Sequence, residues 1–281
     1  MKLKEKFRTI SNPWVFSQFV NLRSIIKLKK VRCTYIPSLG IFQVQCNRQT
    51  RYASVNSRVL LYLDGFSNRS TYIGQTYMLP LIPFREGDLV VDCGANMGDL
   101  ELYLRENAPK VRYIGFEPNP HDFVCLERNV GSSRSRNVGL WNQEGSIPFY
   151  VNDRHASSSF IQPPEFTQVI DIPASTLSNQ FPNERIRLLK LEAEGAEPEV
   201  LYGAISIFNR IDYISADVGP ERGIHEQETR DMVVNLLESH GFELIKESKG
   251  HRKIILMRQV ELSETSNYQN WHIATSKGNL D

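Results

Sequence analysis

Two acidic residues and two glycines in this chain are spaced as in sites that hold a nucleotide-like ligand. In the segment VVDCGANMGD, Asp92 ends a predicted strand, and Gly94 and Gly98 flank a tight turn into a predicted helix. Glycine there lets the backbone approach a ligand that a Cβ would block, and the helix start offers unpaired N–H groups to a carboxylate. Glu117 ends the next predicted strand, where a carboxylate can accept hydrogen bonds from a ribose diol.

The glycine spacing separates two classes of ligand. The turn between Gly94 and Gly98 lacks the third glycine of the dinucleotide fingerprint, and Asp92 would lie beside the negative charge of a pyrophosphate. An acid at that position suits S-adenosylmethionine, which carries a sulfonium and an α-ammonium group. The pattern therefore favours methyl transfer over hydride transfer by an NAD(P)-type oxidoreductase.

The predicted cofactor-binding residues extend this turn along the edge of the sheet. They are Asp92, Gly94, Ala95, Asn96, Gly98, Glu117, Pro118, Asn137 and Gly139. Asn137 and Gly139 fall at the end of the third predicted strand, where an adenine ring would lie in such a fold. Termination of the strand explains Asn137 equally well.

A second group of charged residues lies in the segment LLKLEAEGAEPEV. Lys190, Glu192 and Glu194 alternate along a predicted strand and would share one side of it, and Glu197 follows at a helix entrance. Charges on a central strand are costly unless they are paired or lie at an open strand end, where ligands bind. We expect at least one of Glu192 and Glu194 to act on the reacting group and Glu197 to cap the helix. The alternative is a structural Lys–Glu pair.

If the methyl acceptor is an alcohol, transfer needs a base that removes the hydroxyl proton. We nominate Glu194 first and His155, in the loop NDRHASSSF, second. His225 is a similar candidate in GPERGIHEQE, although a lone loop histidine is more often simply solvated. Lys190 and Glu192 complete the predicted catalytic group.

The predicted acceptor-binding residues are Tyr72, Glu221, Arg222 and His225. Glu192 or Glu194 with Asp217, on neighbouring strand ends, could supply oxygen ligands to Mg²⁺, but we expect no metal. The chain has no Cys/His spacing typical of a zinc site.

The predicted cofactor-binding and catalytic residues would lie close together at one edge of a parallel sheet. From Gly87 onward strands and helices alternate, which is the pattern typical of such a sheet. The predicted strands are 88–94, 111–118, 136–140, 146–151, 186–192 and 212–218, and the predicted helices are 97–107, 119–130, 198–208 and 226–240. Two further strand-like runs, FELIKES and KIILMRQ, predict a terminal antiparallel hairpin. The predicted fold is α/β, a doubly wound, mostly parallel seven-stranded sheet of the Rossmann-like methyltransferase class.

The chain divides into three predicted parts. Residues 1–86 form an amino-terminal cap that contributes to the acceptor site, 87–258 form the S-adenosylmethionine-binding domain, and 259–281 form a polar tail. Within the cap, GIFQVQC and RVLLYLDG resemble strands.

Five segments in order resemble the signature segments of FkbM-type methyltransferases: DCGANMGD, FEPNP, NVGLWNQEGSIPFYV, ASSSF and LLKLEAEGAEPEVLYGA. The resemblance covers about 88–210 and implies that Asp92, Gly94, Asn96, Gly98 and Glu117 hold the cofactor. The 190–197 segment is similar to the family's block near the active site, but Glu192 stands where the family usually has Asp. The family acts on sugar or polyketide hydroxyls, so a glycan or secondary metabolite is the implied acceptor. A module that kept the fold and lost the chemistry is a further alternative.

Charge and composition limit the partners. The net charge is +1, but residues 1–32 contain nine Lys or Arg and one acid, so this basic arm could meet an anionic membrane or an acidic acceptor, or be a solvated helix face. No run approaches a membrane span, and nucleic-acid binding is not expected because the arm has little aromatic interleaving. Four cysteines without paired spacing predict reduced thiols in a cytoplasmic protein. The oligomeric state is not predicted.

Overall fold

A computed structural model describes residues 10–152, 158–250 and 252–259. The amino-terminal part begins with helix α1 (Pro13–Ile26), which Asn12 caps by accepting hydrogen bonds from the backbone N–H groups of Trp14 and Val15. An antiparallel sheet follows, built from β1 (Val31–Ile36), β2 (Ile41–Cys46) and β3 (Gln49–Ala53).

Helical segments connect this small sheet to the rest of the chain. They are α2 (Asn56–Val59), a 3₁₀ turn at Leu60–Tyr62, α3 (Phe66–Thr76) and a 3₁₀ turn at Leu79–Leu81. The strand-like interpretation of RVLLYLDG is therefore wrong, because its apolar residues pack into the amino-terminal core from short helices.

A seven-stranded sheet forms the main body. Its strands lie in the order β14 (Phe242–Glu247), β15 (Lys253–Arg258), β11 (Ile211–Asp217), β10 (Ile186–Leu191), β4 (Leu89–Cys93), β5 (Arg112–Phe116) and β6 (Ser135–Arg136). The five strands from β11 to β6 run parallel, and β15 and β14 add the terminal antiparallel hairpin. The predicted fold class is confirmed.

Alternate residues of the central strands pack on opposite faces of the sheet. Val91 and Leu189 belong to one core cluster, and their neighbours Val90 and Leu188 belong to another. The helices that cover the two faces are α4 (Asp99–Asn107), α5 (Pro120–Val130), α6 (Leu177–Gln180), α7 (Glu197–Tyr202) and α8 (Arg230–Glu238).

Three details differ from the sequence predictions. The strand expected at 136–140 is divided into β6 and β7 (Gly139–Leu140), which pairs instead with β9 (Gln168–Ser175) beside β8 (Gly145–Val151). The helix expected at 198–208 ends early and continues as a 3₁₀ segment, Ile205–Arg210. The helix expected at 226–240 starts only at α8, after a small hairpin of β12 (Pro220–Arg222) and β13 (Gln227–Glu228).

Two findings concern the surroundings of the chain. The four cysteines are buried free thiols. None of the helices in the described part of the chain combines the length and hydropathy that a bilayer crossing requires. The proposed division at residues 86 and 258 stays a prediction, and most of the tail lies outside the described residues.

Candidate active site

A cavity of about 790 Å³ lies at the carboxyl ends of β4, β5, β10 and β11. Asp92 of β4 and Asp217 of β11 line it, together with Glu117 and Glu192, which directly follow β5 and β10. Parallel sheets bind ligands at this edge because the strand ends and the following loops converge there. The structure therefore brings the two charged groups predicted from the sequence into one cavity.

The glycine turn after β4 is shaped by backbone angles that favour glycine. Gly94, Asn96 and Gly98 have φ values of +70°, +50° and +78°. A Cβ on Gly94 would collide with the backbone oxygen of Glu192, so only glycine lets this turn lie against the end of β10. A Cβ on Gly98 would come within 3 Å of side-chain atoms of α5.

Arg51, in strand β3 of the amino-terminal sheet, stabilises this glycine turn. Its fully buried guanidinium donates to the backbone oxygens of Met97 (3.1 Å) and Gly98 (2.8 Å) and lies 3.4 Å from carboxylate oxygens of both Asp99 and Glu101. Asp99 also accepts hydrogen bonds from a tyrosine hydroxyl and an arginine guanidinium in the segment that links β3 to β4. The amino-terminal part thus fixes the shape of the glycine turn, a role that the sequence did not reveal.

Glu117 occupies the predicted ribose position. Its carboxylate is buried and accepts hydrogen bonds from the backbone N–H groups of Asn96 (2.7 Å) and Asn119 (2.8 Å). Burial, and then the neighbouring Asp122 carboxylate, raise the pKa of Glu117 to about 8. Because a carboxylate has about four acceptor positions, lone pairs remain for a diol in the cavity.

Asp92 is already engaged within the protein. Lys190 Nζ lies 3.0 Å from Asp92 Oδ1, and the Tyr113 hydroxyl donates to Asp92 Oδ2 at 2.8 Å. Burial raises the pKa of Asp92, although the Lys190 ammonium acts in the opposite direction. Asp92 also lines the cavity, and its predicted contact with a cationic ligand stays a prediction.

Glu192 is held as a carboxylate by two lysines. Lys190 Nζ and Lys253 Nζ lie 3.0 and 3.7 Å from its oxygens, and the Tyr77 hydroxyl hydrogen-bonds to it. Although burial opposes ionisation, Lys190 and then Lys253 lower the pKa of Glu192 well below its usual range. A carboxylate stabilised in this way is a weak proton acceptor.

Glu194 is placed differently from Glu192. The sequence predicted that Lys190, Glu192 and Glu194 alternate along one strand, but β10 ends at Leu191 and Glu194 lies in the following turn with φ +50°. Its backbone oxygen accepts a hydrogen bond from the Ser159 hydroxyl at 2.8 Å. Burial and the neighbouring Glu192 carboxylate raise the pKa of Glu194 to about 7.

Glu197 supports that turn. Its carboxylate accepts hydrogen bonds from the backbone N–H groups of Ala193 (2.8 Å) and Gly195 (3.2 Å) and from the Thr229 hydroxyl (3.0 Å). The two backbone donors lie in the turn before α7, so Glu197 stabilises this turn, whereas the sequence predicted that it caps the helix.

The two residues predicted to lie near an adenine ring, Asn137 and Gly139, do not line the cavity. Asn137 Nδ2 donates to the backbone oxygens of Glu117 (2.8 Å) and Pro118 (3.1 Å), so Asn137 supports the end of β5 rather than lining the cavity. Gly139 packs against the Phe160 ring, with no room for a Cβ. The apolar part of the wall consists of Phe116, Pro118, Val138, Leu140, Phe149 and Phe160.

The predicted acceptor residues separate into two groups. Tyr72 and Glu221 line the cavity, and Glu221 pairs with Arg252. Arg222 instead makes a two-pronged ion pair with Glu199 (2.7 and 2.8 Å), and His225 is exposed and does not line the cavity. His155 lies outside the described residues.

Sequence reasoning missed the cations and the tyrosine that surround the strand ends. Arg252 and Lys253 both pair with Asp217, and Lys253 and Lys190 lie about 5 Å from the centre of the Tyr77 ring. These contacts join residues far apart in the chain, so no local motif signals them. Within the described ranges, no three His, Cys, Asp or Glu side chains are grouped as metal ligands, and the oxygens proposed for Mg²⁺ at Glu192 and Asp217 have cationic partners.

The fold is of the doubly wound α/β class, with its cavity at the carboxyl ends of the parallel strands. Residues 92–244, more than half of the chain, match the methyltransferase FkbM domain. The chain belongs to this family. The matched region includes the glycine turn, Glu117 and the turn that carries Glu192 and Glu194.

Individual relatives agree with this assignment. "Methyltransferase 1" of Beauveria bassiana is 26% identical over 63% of this chain and 80% of its own length, and "Methyltransferase sdnD" of Sordaria araneosa is 25% identical over 73% and 90%. "AMB antimetabolite synthetase AmbE" of Pseudomonas aeruginosa is 24% identical over 63% of this chain, which spans 11% of that protein.

Solved structures of methyltransferases are also similar. A precorrin-6Y C5,15-methyltransferase from Geobacter metallireducens is 12% identical with a TM-score of 0.39, covering 66% of this chain and 89% of that one. A putative rRNA methylase from Clostridium thermocellum is 13% identical with a TM-score of 0.40, covering 66% and 94%.

Proposed function

We propose that this protein is an S-adenosylmethionine-dependent O-methyltransferase that acts on a hydroxyl group of a sugar, a glycan or a secondary metabolite. One observation carries the proposal. A single cavity brings together the glycine turn, the Glu117 carboxylate and, in Glu194, a carboxyl whose pKa is raised to about 7. The first two suit the nucleoside part of the cofactor, and the third suits proton removal from an alcohol.

The residues of the cavity fit S-adenosylmethionine. Glu117 keeps acceptor positions for the ribose hydroxyls, and the Asn96 side-chain oxygen is buried without a hydrogen-bond partner. The apolar wall that includes Val138 and Phe160 suits the adenine ring.

The chain's own residues would position the acceptor and take its proton. When bound, S-adenosylmethionine supplies an electrophilic methyl group. Glu194 accepts the hydroxyl proton, and the Ser159 hydrogen bond to its backbone holds the strained turn that presents it. Lys190 and Lys253 keep Glu192 ionised, and burial together with this Glu192 charge raises the pKa of Glu194 to about 7.

The acceptor class is inferred from chemistry and relatives. Tyr72 and Glu221 offer an aromatic face and a carboxylate at the cavity, both of which suit a polyhydroxylated molecule. The similarity to a stretch of an antimetabolite synthetase supports a secondary metabolite. Membership of the FkbM family favours methyl transfer over the alternative of a dinucleotide oxidoreductase.

The proposal is tested by incubating the purified protein with methyl-labelled S-adenosylmethionine and panels of sugars, glycans and hydroxylated metabolites. We expect label in an ether-linked methyl group on at least one panel member, and a large loss of transfer in Glu194→Gln. Glu238→Gln, which changes an exposed glutamate on α8, is the matched control and should keep full activity. Label found only on amines, or no transfer in any panel, would refute O-methylation.

A further inference from the structure

Helix α1 exposes an apolar face. Its opposite face packs Phe16 and Val20 into the amino-terminal core, so that side of the helix has its partner within the chain. The exposed side chains on the other side include Trp14, Val15, Gln18, Leu22, Ile25 and Ile26. Their spacing along the helix places them on one side of it, and all but one are apolar.

The apolar side chains are most exposed to solvent at the carboxyl end of the helix. Leu22, Ile25 and Ile26 are 54%, 72% and 68% exposed, and Leu28, just beyond the helix, is 91% exposed with φ +52°. Isolated apolar residues are common on protein surfaces, but a continuous apolar face of this kind marks an interaction site.

Positive charge borders the carboxyl end of this apolar face. Lys27, Lys29, Lys30 and Arg32 are all exposed and lie on both sides of Leu28. The sequence has no acidic residue between Glu5 and Asp64, so the whole helix lies in an acid-free stretch. Apolar side chains bordered by lysines are typical of helices that lie in the interface of a membrane with anionic lipids.

We propose that α1 and residues 27–32 dock this protein on the surface of an anionic lipid bilayer. Leu22, Ile25, Ile26 and Leu28 enter the boundary between headgroups and acyl chains, while the lysines contact lipid phosphates. Trp14, half-exposed near the start of the helix, is an amphipathic ring suited to the same depth. This surface is separate from the cavity, so the proposal does not rest on the proposed function.

The test is co-sedimentation of the full chain with vesicles of phosphatidylcholine containing 30% phosphatidylglycerol, compared with vesicles of phosphatidylcholine alone. We expect binding to the anionic vesicles that weakens with added salt. Ile25→Ser/Ile26→Ser and Lys29→Gln/Lys30→Gln should each reduce it at least about tenfold, because each removes two of the interacting side chains.

Two control variants change the same residue types elsewhere on the surface. Met232→Ser removes an exposed apolar side chain of α8, and Lys110→Gln/Lys246→Gln removes two exposed lysines. Both should bind anionic vesicles as the unmodified chain does. Because all these positions are exposed, the variants are expected to fold, which melting curves would check.

Other results would overturn the proposal. Equal binding to neutral and anionic vesicles would show that the basic side chains do not recognise lipid charge. Equal binding by the α1 variants and their controls would show that the side chains of α1 and residues 27–32 do not bind lipid. A dimer in light scattering that dissociates on Ile25→Ser/Ile26→Ser, with no vesicle binding, would show that a second copy of the chain covers this face. Vesicle binding that appears only when residues 260–281 are removed would assign the face to the chain's own tail.

Discussion

Lys190 Nζ lies 3.0 Å from Glu192 Oε2, and this ion pair distinguishes the two glutamates that follow β10. The pKa of Glu192 is lowered well below its usual range because, despite burial, Lys190 and Lys253 stabilise its charge. For Glu194, burial and then the neighbouring Glu192 charge raise the pKa to about 7. The proposed base is therefore Glu194, whose pKa is set by burial and then by the Glu192 charge.

The first prediction concerns the pH dependence of turnover. Glu194 must be deprotonated to accept a proton, so kcat/KM for the acceptor, measured with S-adenosylmethionine saturating, should fall about tenfold per pH unit below pH 7 and level off above it. Glu194→Gln should lower kcat by about 10²–10⁴-fold at pH 8 and remove this dependence. The measurement is a pH–rate profile of both proteins, with Glu238→Gln as control. A profile unchanged by Glu194→Gln would mean that another group takes the proton.

The second prediction concerns the stability that Lys190 provides. Lys190→Met leaves the buried Asp92 carboxylate without its ammonium partner, which should cost about 3–5 kcal/mol in the free energy of unfolding at pH 8. Loss of the Lys190 ammonium raises the pKa of Asp92 further. The variant should therefore be destabilised less at pH 5, where protonation of Asp92 removes the buried charge, and more as the pH rises. Urea unfolding at both pH values measures this difference.

A double variant provides the control for Lys190. Asp92→Asn/Lys190→Met leaves neither charge buried alone and should recover most of the lost stability at pH 8. If the single and double variants unfold at the same urea concentration, the ion pair between Lys190 and Asp92 does not account for the effect.

The third prediction concerns proton release on ligand binding. With its pKa at about 8, Glu117 is mostly protonated at pH 7. Hydrogen bonds donated by a ribose diol favour the carboxylate and lower its pKa, so binding of S-adenosylhomocysteine should release a proton. Titration calorimetry at pH 7 should give different binding enthalpies in phosphate and in Tris. The reason is that the released proton is taken up by the buffer, and the two buffers have different ionisation enthalpies. Glu117→Gln should abolish this difference; identical enthalpies for the unmodified chain would argue against ribose binding at Glu117.

Local signals predicted the parts of the site that depend on local geometry. Gly94 and Gly98 have positive φ because the chain must turn sharply between β4 and α4, and Glu117 directly follows β5, at the strand end where the sequence predicted it. The terminal hairpin was also predictable, since Gly250 separates two runs rich in apolar residues.

Tertiary contacts decided what the sequence did not predict. The apolar run around Leu60 suits a strand as well as a helix, and packing in the amino-terminal core selects short helices. Glu194 leaves the predicted strand because β10 ends at Leu191 and Glu197 holds a turn there. Arg51 and Tyr77 reach the site from the first 80 residues, and no local spacing relates them to the residues that they contact.

The central claim is that the cavity at the strand ends binds S-adenosylmethionine. Calorimetric titration with S-adenosylhomocysteine and with NAD tests it most directly, using the unmodified chain, Gly94→Ala and Gly87→Ala. Both glycines have positive φ, but only a Cβ at Gly94 collides with the Glu192 backbone, so Gly87→Ala controls for backbone strain. We predict that S-adenosylhomocysteine alone binds, that Gly87→Ala retains this binding, and that Gly94→Ala weakens it at least about tenfold. Preferential binding of NAD, or equal binding by the two glycine variants, would contradict the account.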